Sequence, residues 1–228
     1  MTGKRAVVRT ETTAAIIRHA RRQLETRGAA NISLREIARD LDMASSAIYR
    51  YFESRDQLLT VLIIDAYNRL GAAIEDADAV CDRDDLIGRW TAIAQAFRDW
   101  ALSNQADYGL VFGTPVPGYE APEDTNAAGM RYTNVVVQLV ADATAHGCVS
   151  AIEPPKIKGL VSEYRNVRKA IGVNAPDTTL LAGLSAWAAV FGAINLEIFG
   201  HLDIVYTDPG VHFAALVDML GRQVVGLT

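Results

Sequence analysis

Cysteine is nearly missing from this chain: Cys81 and Cys148 are the only two in 228 residues. Two thiols build neither a disulfide framework nor a zinc cluster, and the scarcity fits a reducing cytoplasm. Both read as small core residues. Long hydrophobic runs are lacking too. No stretch of about 18 residues is free of charged or polar interruption, so no membrane span is expected. The opening Met-Thr-Gly-Lys-Arg-Ala-Val-Val-Arg-Thr is basic but has no apolar stretch of leader type. Histidine is sparse. His19, His146, His201 and His212 fall in no His-x-x-x-His or Gly-x-Ser-x-Gly context, and no glycine loop of phosphate-cradling type exists. Catalysis is therefore not expected, and no cofactor or metal is called for. Nothing alternates like a run of β-strands, and there is no repeat or low-complexity tract. The expected fold class is all-α.

What is present is an uneven charge. Residues 1–56 hold 11 Lys+Arg against 7 Asp+Glu, and residues 57–228 hold 11 against 20. A net −5 chain thus has one basic end and one acidic end, which favours a nucleic-acid face at the first. The spacing predicts a helix over about Glu11–Arg27, with Ile16, Ile17, Ala20 and Leu24 as its stripe and Gly28 as its stop. Ser33 followed by Glu36 has capping-box spacing and opens a second helix carrying Leu34, Ile37, Ala38 and Leu41. Asp42-Met43 makes a turn. A third helix covers about Ser45–Phe52. Ser54-Arg-Asp-Gln57 is a second capping box, and it opens a fourth helix to about residue 76. Further helical patterns lie near 83–104, 124–146, 156–170, 177–200 and 209–225. Between them, Gly113-Thr-Pro-Val-Pro-Gly-Tyr-Glu-Ala-Pro122 holds three prolines and two glycines, which forbids regular helix. It is expected to be a connection or a lid.

With Ile48 at the centre of the third helix's buried face, a 100° step puts Ala44 and Phe52 on the same side. Ser46, Tyr49 and Arg50 fall opposite, with Ser45 and Tyr51 at the flanks. Arginine pairs bidentately with guanine, and serine meets several base edges. Arg35 and Arg55 stand in the first turns of the second and fourth helices, where a cation opposes the helix dipole unless a phosphate lies between.

The run Ala47-Ile48-Tyr49-Arg50-Tyr51-Phe52-Glu53-Ser54-Arg55-Asp56-Gln57-Leu58, extended back through Ile37-Ala38 to the first helix, resembles the DNA-binding domain of TetR-family transcriptional regulators over about residues 11–60. Asp42 stands where the family usually has Gly, and Ala44 where it usually has Ser or Thr. Asp adopts a left-handed turn at modest cost, so the turn is expected to survive. The resemblance implies that Ser33 and Arg35 touch backbone or groove edge. It implies that Ser45, Ser46 and Arg50 read bases, and that Tyr49, Tyr51 and Arg55 hold phosphates. For the tyrosines the other reading is packing between helices, and for the serines simple capping.

The resemblance further implies an N-terminal three-helix helix-turn-helix domain, residues 1–56, with the helix at about 55–76 as connector. A helical ligand-binding and dimerisation domain, 77–228, follows. The expected partners are a double-stranded DNA operator, a largely apolar small molecule and a second copy of the chain. Around Trp187-Ala-Ala-Val-Phe191-Gly192 the sequence is similar to a C-terminal subgroup named for a Trp, then His-Gly, pattern, with Phe191 in place of the His. The pattern at 177–200 is apolar or small nearly all round, so it must be buried on more than one face. Candidate dimerisation residues are Leu184, Trp187, Phe191 and Gly192, and in the last helix Phe213, Leu216, Val217 and Leu220. Candidate ligand contacts are Trp90, Phe97, Trp100, Tyr108 and Phe112, together with Tyr132, Gln138 and Asn195, whose polar groups need partners among apolar neighbours. The resemblance implies a cytoplasmic repressor, released from its operator by an inducer. An activator of the same architecture fits as well, and a helical enzyme with an appended DNA-binding head is the alternative from another class.

Overall fold

Ser33 caps a short helix, as its spacing predicts. Its backbone is extended (φ −129°), and its hydroxyl accepts from the Glu36 N–H at 3.4 Å. The reciprocal bond comes from elsewhere: the Ser33 N–H donates to Gln23 Oε1 at 2.9 Å, while Glu36 pairs with Arg27. At Ser54 the Gln57 N–H donates to Ser54 Oγ at 3.1 Å, and Gln57 Oε1 reaches one residue past the cap to accept from the Glu53 N–H at 2.7 Å.

The computed structural model describes residues 2–150 and 152–227, with backbone alone for 2–5. Among these residues the regular elements are helical. They are α1 (Thr2–Arg27), α2 (Leu34–Asp40), α3 (Arg55–Ala79), α4 (Leu86–Ser103), α5 (Gln105–Phe112), α6 (Asp124–Ala145), α7 (Leu160–Ile171), α8 (Asp177–Ile198) and α9 (Pro209–Met219). The all-α fold and the helix-turn-helix head are as the sequence predicts.

Three elements differ from the expected pattern. Helix α1 starts nine residues before Glu11. The hydroxyls of Thr10, Thr12 and Thr13 donate to carbonyls four residues earlier at 2.8–3.1 Å, so this polar, β-branched stretch stays helical. Helix α5 is unforeseen. It follows a break at Asn104 (φ −134°, ψ 48°) and fills the interval before the proline-rich stretch. Helix α9 widens at its end into a π-helical turn, Leu220–Val225. Gly221 permits it, because a Cβ there would lie 2.5 Å from Ile87 Cδ1 and 2.7 Å from Trp90 Cδ1.

The chain divides into two compact units, residues 1–69 with 104–129, and residues 70–103 with 130–228. Residues 104–129 therefore pack with the head, although the sequence partition assigns them to the larger domain. In the first unit Ile16, Ala20, Leu24, Ile37, Ala38, Ile48, Phe52 and Leu58 form one buried cluster. Ala106 and Leu110 of α5 pack against it, as do Val116 and Tyr119 of the proline-rich stretch. The Tyr119 hydroxyl also meets Thr60 Oγ1 at 2.9 Å. Arg69 ties α3 to α5 by donating to Asn104 Oδ1 at 2.8 Å and to Asp107 at 2.5 Å. Asp65, which Arg69 also reaches at 2.8 Å, pairs in turn with Arg21 of α1.

The turn after α2 depends on one backbone angle. The Met43 N–H donates to the Ala38 carbonyl at 2.8 Å and the Asp42 N–H to the Arg39 carbonyl at 3.1 Å, a Schellman close with Asp42 in the left-handed position at φ 52°. Asp42→Val is expected to destabilise the chain by about 1–2 kcal/mol, and Asp42→Gly to leave it unchanged or firmer. Urea unfolding of the two variants checks this; equal midpoints for Val and Gly would remove the backbone argument.

The second unit has an aromatic centre. Phe97 stacks on Trp187 (ring centroids 5.5 Å) and meets Phe191 edge-on (4.7 Å), and Tyr132 lies 6.3 Å from Phe97. Ion-paired arginines hold its helices, two of them on α4. Arg98 of α4 donates to Glu197 of α8 at 2.5 and 2.7 Å and lies over the Phe213 ring of α9. Arg89 of α4, its side chain wholly buried, joins Asp78 of α3 to Asp142 of α6. Cys81 and Cys148 are half-buried rather than core residues.

Candidate nucleic-acid interface and the helical body

Ile48 (0 % exposed) and Phe52 (3 %) pin the segment after the Asp42 turn to the head core. The segment is shorter and tighter than the α-helix predicted over Ser45–Phe52. Ser45–Ala47 form a turn and Ile48–Arg50 a 3-10 helix. Its bonds reach back three residues, from Ala47 to Ala44 (2.7 Å), Arg50 to Ala47 (3.3 Å) and Tyr51 to Ile48 (2.9 Å), before Phe52 closes on Ile48 at 3.1 Å. Three residues per turn align Ser46 with Tyr49. Ala44 is exposed, not buried with Ile48, because it precedes the helical turn. Ser45, Ser46, Tyr49 and Arg50 are all exposed, and so is Arg35 in the first turn of α2.

The other head candidates have work inside the fold. Ser33 is half-buried and capping. Tyr51 is half-buried against the head core, with the Arg9 guanidinium 5.7 Å from its ring centroid. Arg9 also donates to the Arg50 carbonyl at 3.3 Å, which fastens the start of α1 to the reading segment. Arg55 donates to the carbonyls of Ala29 (2.9 Å) and Ala30 (3.1 Å), so its cation is spent largely on the short turn after α1. No spacing rule points to either contact, since the partners lie 25 to 41 residues apart.

The eight candidate ligand contacts are not one cluster. Tyr108 and Phe112 belong to the first unit, where their rings lie 5.1 Å apart and Phe112 meets Tyr67 at 5.9 Å. Burial pushes the Tyr108 phenol up to about 12. Trp90, Phe97 and Trp100 are buried core of the second unit, and the Trp90 indole N–H donates to the Val217 carbonyl at 2.9 Å. Burial also raises the Tyr132 phenol, partly offset by its hydrogen bond with Thr133. Gln138 is exposed and donates to Asp142 at 2.8 Å, while Asn195 donates to the Phe191 carbonyl at 3.1 Å. Both satisfy themselves on their own helices. One apolar cavity of this unit lies away from these side chains. A cavity of about 110 Å³ opens between α6, α7 and α8, walled by Val136, Val140, Val167, Ile171, Leu180 and Trp187. Thr133, Val136, Val137 and Val140 sit at helical spacing on one face of α6, a signal present in the sequence.

The last two helices present apolar surface of a different make-up from the candidate set. Phe213, Val217 and Leu220 are buried within the protomer, and Leu216 is half-buried. Trp187 and Phe191 turn into the aromatic centre. Gly192 and Leu184 are exposed, together with Ala188 and Leu196 on α8, Phe199 at its C-cap, and Val211, Ala215 and Met219 on α9. Helix α8 is long and apolar enough to cross a membrane by length and composition, with mean hydropathy 1.6, yet only 33 % of that window is buried within the chain.

Comparison with known proteins bears on both halves. A family described as "Bacterial regulatory proteins, tetR family" matches residues 16–62, and one described as "Tetracyclin repressor-like, C-terminal domain" matches residues 90–220. The HTH-type transcriptional regulator Rv1816 of Mycobacterium tuberculosis is 41 % identical over 224 residues, 96 % of this chain and 94 % of that protein. The regulator Mb1846 of Mycobacterium bovis matches to the same extent. The crystal structure of the regulatory protein SCO4313 superposes with a TM-score of 0.78 at 33 % identity, covering 94 % of this chain and 97 % of that one.

Proposed function

The chain belongs to the TetR family of bacterial transcriptional regulators, and from that premise we propose that it represses transcription as a dimer on a palindromic operator and is released by a small molecule entering its helical body. The family is one of regulators rather than enzymes. The observation that carries the reading is the reading segment: Ser45, Ser46, Tyr49 and Arg50 stand exposed together on a turn anchored from behind by Ile48 and Phe52. Hydroxyls and a guanidinium on a rigid mount are what base edges and phosphates require.

Pairing two chains through the exposed faces of α8 and α9 gives two such segments on one duplex. They would enter successive major grooves about 34–36 Å apart, so the operator is an inverted repeat. The apolar cavity between α6, α7 and α8 supports the ligand half of the reading. Helix α3 begins in the head and continues into the second unit, so a ligand that favours one tilt of α3 shifts the spacing of the two heads.

Selection of random duplexes on the full-length protein tests the reading and should enrich an inverted repeat. Arg50→Ala is expected to relax preference at one base pair per half-site, costing about 1–3 kcal/mol at that position. Arg35→Ala should weaken binding to all sequences and lower the salt slope by about one per head. Arg55→Ala should lower the melting temperature as well, because the Ala29 and Ala30 carbonyls lose their donor. Selection without a palindrome, or identical effects of Arg50→Ala and Arg35→Ala on base preference, would overturn the assignment.

A further inference from the structure

Arg9 reaches the reading segment from 41 residues away. The segment needs such help. It is a single 3-10 turn, Ile48–Arg50, and 3-10 hydrogen bonds have poorer geometry than those of an α-helix. Its internal bonds end on the Ala44, Ala47 and Ile48 carbonyls, so the Arg50 carbonyl takes its donor from outside. Arg9 Nη2 supplies it at 3.3 Å. The same guanidinium lies 5.7 Å from the centroid of the Tyr51 ring. Both contacts bear on one peptide unit, the link from Arg50 to Tyr51.

The mount of Arg9 is itself firm. It sits inside α1, where the Thr13 hydroxyl donates to the Arg9 carbonyl at 2.9 Å. Ile16 and Ala20, further along the same helix, are wholly buried in the head core. Among the described residues, Arg9 meets a carbonyl and a ring rather than a carboxylate. Arginine suits that pair, because its planar fork donates from an edge while its face lies over an aromatic ring. The compact lysine ammonium does not do both. A base-reading side chain must be held within about 0.5 Å and 10–20° for its bidentate pairing to form. A loose link from residue 50 to 51 lets the Arg50 side chain swing past that margin.

We propose that Arg9 is a positioning residue for base reading. It fixes the peptide that carries Arg50, and so sharpens base preference without touching a base. The assignment rests on the DNA-reading role given to Arg50 above.

The full-length protein, Arg9→Ala, Arg9→Lys, Arg50→Ala and the Arg9→Ala, Arg50→Ala double variant are titrated on two duplexes. One is the selected operator, and the other is a copy altered at the base pair where Arg50→Ala relaxes preference. Arg50→Ala should lose about 5- to 150-fold of the discrimination between them. Arg9→Ala should lose at least about threefold of it, the worth of one hydrogen bond, and nothing further when added to Arg50→Ala. Arg9→Lys keeps the charge and should keep the salt slope, yet its discrimination should match Arg9→Ala rather than the native chain. In the DNA-free protein, hydrogen exchange at the amides of residues 50–52 should quicken at least about threefold in Arg9→Ala. Helicity should not change, since Arg9 is exposed and α1 is anchored by Ile16 and Ala20. Native discrimination in Arg9→Lys overturns the positioning role. So does an Arg9→Ala loss that is equal on both duplexes, or unchanged exchange at residues 50–52. Failure of the underlying reading looks different, because it shows without any Arg9 variant. If Arg50→Ala relaxes no base pair, the reading role of Arg50 fails and takes this proposal with it.

Discussion

A Gly192→Arg protein is expected to sediment as a folded monomer at micromolar concentration and to lose operator binding by at least about a hundredfold. The substitution is benign within one protomer. Gly192 is exposed on α8, a Cβ built there meets nothing within 4 Å, and its backbone is helical. Arginine is the better helix former by several tenths of a kcal/mol, so the isolated chain should lose no helicity. The cost arises only when two α8 helices meet. Gly192 and Ala188 lie at the middle of the stripe that runs through Leu196 and Phe199, where small residues allow close approach. About a two-fold axis each change occurs twice, so two cations face one another in a dehydrated seam. Leaving a charge buried without a partner costs about 3–5 kcal/mol, and every 1.4 kcal/mol is tenfold in the equilibrium. A single head then grips a single half-site, and the salt slope should fall to about half. Sedimentation velocity with gel-shift titration of the selected operator reads both effects. A dimeric Gly192→Arg protein with unchanged affinity would mean that the partner sits elsewhere.

The contrast between Gly192 and Phe213 explains what the sequence could tell. Helices α8 and α9 are apolar nearly all round, and periodicity cannot say which of two apolar faces turns inward. Phe213 and Val217 are held in by Arg98 and Trp90 of α4, far away in sequence. Ala188, Gly192 and Leu196 are left outside, and so are the larger Phe199 and Met219. The head was more legible because its determinants are local. Ser33 caps at its expected spacing, Asp42 takes the left-handed angle and Ile48 turns in while Arg50 turns out. Even there, the long-range partners of Arg55 and Tyr51 escape a spacing argument. So does the docking of Val116 and Tyr119 on the head core, since the sequence marks that stretch only as irregular.

Arg89→Met is expected to remove about 3–5 kcal/mol of stability, a large part of the 5–15 kcal/mol typical of a native chain. The melting temperature should fall by about 10 °C or more. The Arg89 side chain is completely buried. Its Nε donates to Asp78 at 2.8 Å, and its Nη1 donates to Asp142 at 2.7 Å and to the Arg83 carbonyl at 3.2 Å. One guanidinium thus holds the end of α3, the start of α4 and the later turns of α6. Burial alone would raise the Asp142 carboxyl, but the Arg89 hydrogen bond, with one from Gln138, holds it below its ordinary value. Methionine fills much of the same space, so the loss is electrostatic rather than a cavity. The two carboxylates would be left to Arg83 alone, which is half exposed and lies 2.6 Å from Asp78 and 3.7 Å from Asp142. The sign of the pH dependence follows from the lowered Asp142 value. That carboxylate contributes stability above its unfolded pKa, and the contribution is lost as pH falls through the lower folded value. The gap between the native chain and Arg89→Met should therefore be widest at neutral pH and should narrow as pH falls through the lowered folded value of Asp142. Calorimetry across pH 3–7 reads this directly. A triple variant with Arg89→Met, Asp78→Leu and Asp142→Leu removes the stranded charges and should recover most of the loss, because a buried ion triad and a well-packed apolar replacement differ far less than a broken triad does. If Arg89→Met melts within about 3 °C of the native chain at pH 7, the three helices are held by packing alone, and the buried guanidinium contributes little to stability.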